Sequence, residues 1–326
     1  MITVTSQEIE MRTNYDRVPS IEDSGERIFL LAYNCILLLS SLLGDTIILV
    51  ATTKYTAIKL HAVIVVIIQH LAVCDLLAVV LKIVPTIISL VADDWVLGDF
   101  YGHLQASLGS FVQGVTLVLT CGMSTVKLVI LKRPLRANTW KTKEGHLICV
   151  TLWLFRLLLS SPSIFVDIRY LKNDIVFDYA VYHCVYNHRS PKTPAWFHQV
   201  YGISLSVVMT IAVMIMLVTS TLILMTSKKC AKLFGESLRL EGVMTVLATV
   251  IIFLASYLPY SITVVVSSFQ SYEKYPVISA TATRVLYSLV NINIAVNFFI
   301  YALTIDSFKR FLNRIYGKLF SSLRTF

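Results

Sequence analysis

The chain has 326 residues, 56% hydrophobic and 14% charged, where soluble domains carry roughly a quarter charged residues. A mean hydropathy of +0.73 excludes an ordinary soluble fold. The net charge of +9 is not gathered into a contiguous basic face, which excludes a nucleic-acid binder.

Residues 1–27 are polar and rich in acids (Glu8, Glu10, Asp16, Glu22, Asp23 and Glu26) and show no cleavable signal pattern. Seven apolar runs follow, near Ile28–Thr52, Ala62–Val91, Leu104–Leu131, Leu147–Phe165, Gln199–Leu224, Val243–Val266 and Val277–Leu303. Each is about long enough to cross a bilayer core of roughly 30 Å. Lipid offers no partner for backbone polar groups, so such runs must be helical. The chain therefore reads as an all-α membrane protein: an extracellular segment over 1–27, a seven-transmembrane bundle over 28–304, and a cytoplasmic tail over 305–326.

With the N-terminus outside, about sixteen basic residues fall on the cytoplasmic side against about eight outside, the expected positive-inside bias. The reading is a multi-pass protein of the cell membrane. Of the six cysteines only Cys184 falls in an outer loop, so an unpaired thiol open to reagents from outside is expected there. His183 and His188 share that loop, but three residues in one loop are too loose a set to count as a metal site. Past the last span, Phe308, Phe311, Leu312, Ile315, Tyr316 and Leu319 recur at helical spacing, with Lys309, Arg310, Arg314 and Lys318 between them. That pattern predicts an amphipathic helix lying on the inner leaflet.

Specific residues narrow the class. In chain order they are Leu71-Ala72-Val73-Cys74-Asp75, Trp95-Val96-Leu97-Gly98, Pro134-Leu135 after the third span and Trp153 in the fourth. Ser161-Pro162 is expected to break the fourth span near its outer end. Then come Phe253 with Ser256-Tyr257-Leu258-Pro259-Tyr260 in the sixth, and Asn297-Phe298-Phe299-Ile300-Tyr301 ending the seventh. The set resembles the rhodopsin-like (class A) G protein-coupled receptors, and more narrowly uncharacterised invertebrate members. Departures are Val126-Lys127-Leu128 for Asp-Arg-Tyr, Tyr257 for the sixth-helix tryptophan, Phe298 for the seventh-helix proline, Gly102 for a cysteine and Asp45 for an asparagine.

The resemblance implies a receptor that binds a small molecule or short peptide within the bundle and couples to a heterotrimeric G protein. It places Lys82, Gln113, Tyr257, Tyr260, Arg284 and Tyr287 around the ligand cavity. Two cations there, Lys82 and Arg284, suggest an anionic group on the ligand; pairing with loop acids such as Asp93 or Asp94 is the alternative. Amine and retinal ligands are disfavoured, because the positions that serve them hold Gly109 and Asn291. Asp75, Thr116, Asn293 and Asn297 correspond to a core that holds a sodium ion in the resting state, or they form a packing network only. No other cofactor is implied. Lys127, Arg239, Pro259 and Tyr301 take the coupling and switch positions. Arg156, a cation in the middle of the fourth span, must find a polar partner or thin the bilayer locally. No nucleophile–base or metal motif marks an enzyme. The rival reading is a binding or scaffold protein with the receptor fold and little exchange activity, which the departures at 127, 257 and 298 favour.

Overall fold

The apolar runs fold as helices in a computed structural model that describes residues 21, 24–54, 60–170, 175–178, 181–186, 195–234, 240–269 and 280–323. They are α1 (Ser24–Lys54), α2 (Ala62–Ala92), α3 (Gly98–Lys132), α4 (Thr142–Tyr170), α5 (Ala195–Phe234) and α6 (Leu240–Phe269). α7 is in two pieces, Ala280–Asn291 and Asn293–Thr304, and α8 covers Asp306–Leu323. Among the described residues five helices are long and apolar enough to span a membrane, and the bent α7 pair makes a sixth. The 29-residue α4, packed against α2 and α3, completes the seven.

Three irregularities position the functional side chains. α2 passes through a π-helical turn over Val79–Ile83, directly before Pro85. Proline removes a backbone donor and crowds the carbonyl four residues back, and the wider turn accommodates it; Lys82 sits in this turn. α7 bends by 41° although the expected proline is Phe298. The bend lies earlier, where Ile292 N–H bonds the Leu289 carbonyl at 3.2 Å and Ala295 N–H the Ile292 carbonyl at 3.0 Å. These are tighter i→i+3 bonds inside an α-helix. The break expected at Ser161-Pro162 does not occur. α4 continues to Tyr170, because an interior proline bends a long helix without having to end it.

Between α4 and α5 lies an element that the apolar pattern does not announce. β1 (Ile175–Asp178) and β2 (His183–Tyr186) form an antiparallel hairpin with Phe177 opposite Cys184. At the other end of the bundle, Phe308 and Phe311 of α8 are buried while Lys309 and Arg310 are exposed. Phe308 packs on Phe298 of α7 with ring centroids 6.0 Å apart.

Candidate functional site: a lidded cavity at the N-terminal end of the bundle

Lys82 is 3% exposed, and the π-turn aims it across the bundle. Its Nζ donates to Gln113 Oε1 of α3 at 2.8 Å and stands 4.9 Å from the centroid of the Tyr287 ring. It passes beside Gly109, where a Cβ would lie in ordinary contact, 3.5 Å from Lys82 Cγ. Among the described residues no carboxylate comes within ion-pair distance of this ammonium. Its stabilisation comes from one amide oxygen and one aromatic face, worth together a few kcal/mol.

Aromatic rings continue from this point. Tyr287 meets Tyr260 edge-on at 5.6 Å, and Tyr257 stacks on Phe253 at 4.5 Å. Among the described residues the Tyr287 hydroxyl is buried without a hydrogen-bond partner. Lys82, Gln113, Tyr260 and Tyr287 thus come together as the sequence suggests, with Tyr257 beside Gln113. Arg284 lines a small cavity with Tyr287, Thr86 and Tyr182, which Lys82, Gln113, Tyr257 and Tyr260 do not line. Its Nη1 pairs with Glu26 of α1 at 2.8 Å, so it is a pair with an acid, though neither of the loop acids expected. Asp93 pairs instead with Arg27 at 3.4 Å.

The hairpin packs against this end of the bundle. Cys184 N–H donates to Gln105 Oε1 of α3 at 2.8 Å, and the Thr86 hydroxyl to the Tyr182 carbonyl at 3.3 Å. The Tyr182 hydroxyl donates to Asp93 at 3.0 Å and accepts from Ile21 N–H at 3.2 Å. The Phe177 ring lies between Trp95 at 5.9 Å and Tyr182 at 5.8 Å. His183 projects inward, 5.7 Å from the Tyr287 ring. Burial first, and the Lys82 charge second, hold its imidazole well below the ordinary range, so it is neutral at pH 7. The Cys184 thiol faces Gly102, 3.2 Å from where a Cβ would stand. It is buried and pushed up to about 12 by that burial, with Asp99 adding. The expected accessible thiol is therefore unpaired but sheltered.

Arg156 finds its place against α3. Its guanidinium fills the space that the missing side chain of Gly114 leaves, and Nη2 donates to the Ser110 carbonyl at 3.4 Å. Tyr257 is within its electrostatic reach. No local pattern reveals this; the one available signal is a glycine within an α3 that must face another helix.

Deeper in the bundle, Asp45 and Asp75 are each 1% exposed and are electrostatic neighbours. Asp75 accepts from Asn297 Nδ2 at 2.6 Å, and Asp45 from the Ser41 hydroxyl at 2.5 Å. The buried Tyr301 hydroxyl has no hydrogen-bond partner among the described residues and feels both carboxylates. Thr116 is occupied with the Val112 carbonyl at 3.3 Å, and Asn293 with the Ser256 hydroxyl. Of the expected oxygen set only Asn297 touches Asp75, while Asp45 adds an acid. Lys127 is half-buried near the end of α3, and Pro259 lies inside α6. Arg239 lies outside the described residues.

The 7 transmembrane receptor (rhodopsin family) profile matches residues 46–301. The chain belongs to the rhodopsin family of seven-transmembrane receptors. A relative called a QRFP-like peptide receptor, from Branchiostoma floridae, is 24% identical over 151 residues. That match covers 46% of this chain and 39% of the relative, less than half of either. The receptor family is not enzymatic, and its members are multi-pass membrane proteins.

Proposed function

We propose that this receptor takes a short peptide or small molecule with an anionic group into the cavity beneath the hairpin, with Lys82 as counter-ion. The proposal further places the N-terminus outside the cell and a heterotrimeric G protein at the opposite end of the bundle, near Lys127, Arg239 and Tyr301. The observation that carries it is the Lys82 ammonium, buried against Gln113 and Tyr287 with no carboxylate in reach among the described residues. Burying an ammonium is costly unless a counter-charge offsets it. A ligand anion would supply that charge where the dielectric is low and the attraction strong. The name of the lancelet relative favours a peptide.

The test is nucleotide exchange in membranes carrying the receptor, across a panel of G proteins, with short peptides and carboxylate-bearing small molecules as ligands. An active acid should lose potency at least about tenfold, or 1.4 kcal/mol, in Lys82→Met at equal surface expression. Agonists whose neutral analogues act equally well on the wild type would overturn the anion reading. Silence across the panel would favour the scaffold reading. That reading draws support from Lys127 beside Val126, which keeps a cation at the coupling position without the planar guanidinium fork.

A further inference from the structure

One histidine pair takes no part in the cavity, the acid pair or the lid. His70 on α2 and His146 on α4 face each other with His70 Nε2 and His146 Nδ1 3.3 Å apart. Their rings meet at a 62° angle. His146 is exposed on the flank of the bundle and His70 is half-buried beside it. Both lie within about two helical turns of the end that carries the short loops. The helices are held close at this level by Gly145: a Cβ there would stand 3.0 Å from Val66 Cβ and 3.2 Å from Val63 Cα. The approach is thus fixed by backbone against side chain, one residue before His146 and one turn before His70.

We propose that His70 and His146 form a divalent transition-metal site bridging α2 and α4, of the kind that zinc or copper ions occupy. The separation of the two nitrogens is the central argument. A tetrahedral ion at about 2.05 Å from each nitrogen sets them about 3.3 Å apart, which is the distance between the rings without any movement. The pair holds at most one proton between the nitrogens when both rings are neutral. An ion takes the place of that proton once each ring carries its hydrogen on the outward nitrogen, His70 on Nδ1 and His146 on Nε2. This tautomer change releases no proton. Acid competes for the same lone pairs, so binding weakens as the pH falls. Among the described residues no third histidine, cysteine, aspartate or glutamate joins the pair. The remaining positions are therefore left to oxygen ligands, for which the exposed His146 side gives access. Imidazole nitrogen suits zinc and copper, with copper the tighter.

Trp153 offers a readout independent of signalling, because its ring lies 6.5 Å from His70. The full-length receptor, purified in detergent through a tag without histidine, is titrated with copper(II) chloride while tryptophan fluorescence is followed. The expected result is saturable quenching that zinc chloride reverses by competition. It should be lost in Trp153→Phe and shifted at least about tenfold to higher copper in His70→Ala and in His146→Ala, since losing a ligand costs no less than losing an outer-shell partner. Lowering the pH from 7.5 to 5.5 should release the ion from the wild type. Equal quenching in both histidine variants would place the copper elsewhere and overturn the site. So would no saturable phase in a wild type that is folded by its thermal transition; the two rings would then share only a hydrogen bond.

Discussion

Gly114→Ala should weaken the receptor through a single contact. A Cβ at that position lies 1.8 Å from Arg156 Nε and 2.4 Å from Cζ, so the guanidinium must move out of its slot. Arg156 is 6% exposed and cannot simply swing into solvent. The overpacking costs about 1–3 kcal/mol. The bond to the Ser110 carbonyl is long, at 3.4 Å, so its loss adds only the lower part of the roughly 1.5–3 kcal/mol for charge-assisted bonds. A total of about 2.5–4.5 kcal/mol follows. The measurement is the apparent thermal midpoint of purified protein at one fixed scan rate, because such unfolding is commonly irreversible. In an Arg156→Leu background the alanine should be tolerated, so that the double-mutant cycle returns a coupling close to the whole loss. A wild-type midpoint for Gly114→Ala, or the same loss with and without Arg156, would refute the slot.

Four further outcomes are expected. Maleimide applied to intact cells at neutral pH should leave Cys184 largely unmodified and label it once the lid is loosened by Gln105→Ala; rapid labelling of the wild type would contradict its burial and raised thiol. His183 is held well below its ordinary value of about 6.5, so an unfolded or open lid takes up the proton first. Stability should be unaffected above that pH and fall below it, by up to about 1.4 kcal/mol per unit, and His183→Leu should remove this acid sensitivity; parallel curves would argue against it. Asp75→Asn should abolish any difference in thermal midpoint between sodium and a large organic cation, and a wild type without such a difference has no functional sodium site. Lys127→Ala should lower basal nucleotide exchange while Lys127→Arg keeps or raises it; three equal rates would remove this position from coupling.

The spans were legible because lipid leaves a hydrophobic run of that length no alternative to a helix. The grouping of Lys82, Gln113, Tyr260 and Tyr287 was legible through the resemblance, since receptors of one fold turn the same positions inward. What stayed hidden depends on contacts distant in sequence. Arg284 and its partner Glu26 are 258 residues apart, and no local pattern selects Glu26 over the loop acids. The strands Ile175–Asp178 and His183–Tyr186 are four residues each, too short for alternation to separate them from loop. The bend in α7 does not need the proline that sequence reasoning looks for, because two tightened backbone bonds at Ile292 produce it.

On the proposed reading Lys82 and Arg284 therefore play different parts. Arg284 is already neutralised by the receptor's own Glu26, at 2.8 Å, and a ligand gains there only by displacing a formed pair. Lys82 has a dipole and a ring face but, among the described residues, no counter-charge within reach, so on the proposed reading an incoming anion gains the full attraction of a low-dielectric site. On the proposed reading the ligand would displace the hairpin to reach it, since His183 and Lys82 lie beside the same Tyr287 ring. Ligand charge and lid position are then coupled on the proposed reading. Whatever lid arrangement admits the anion is the one that ligand binding populates, and only by the margin of its differential affinity. An anion that bound without moving the hairpin would fill the cavity and shift nothing.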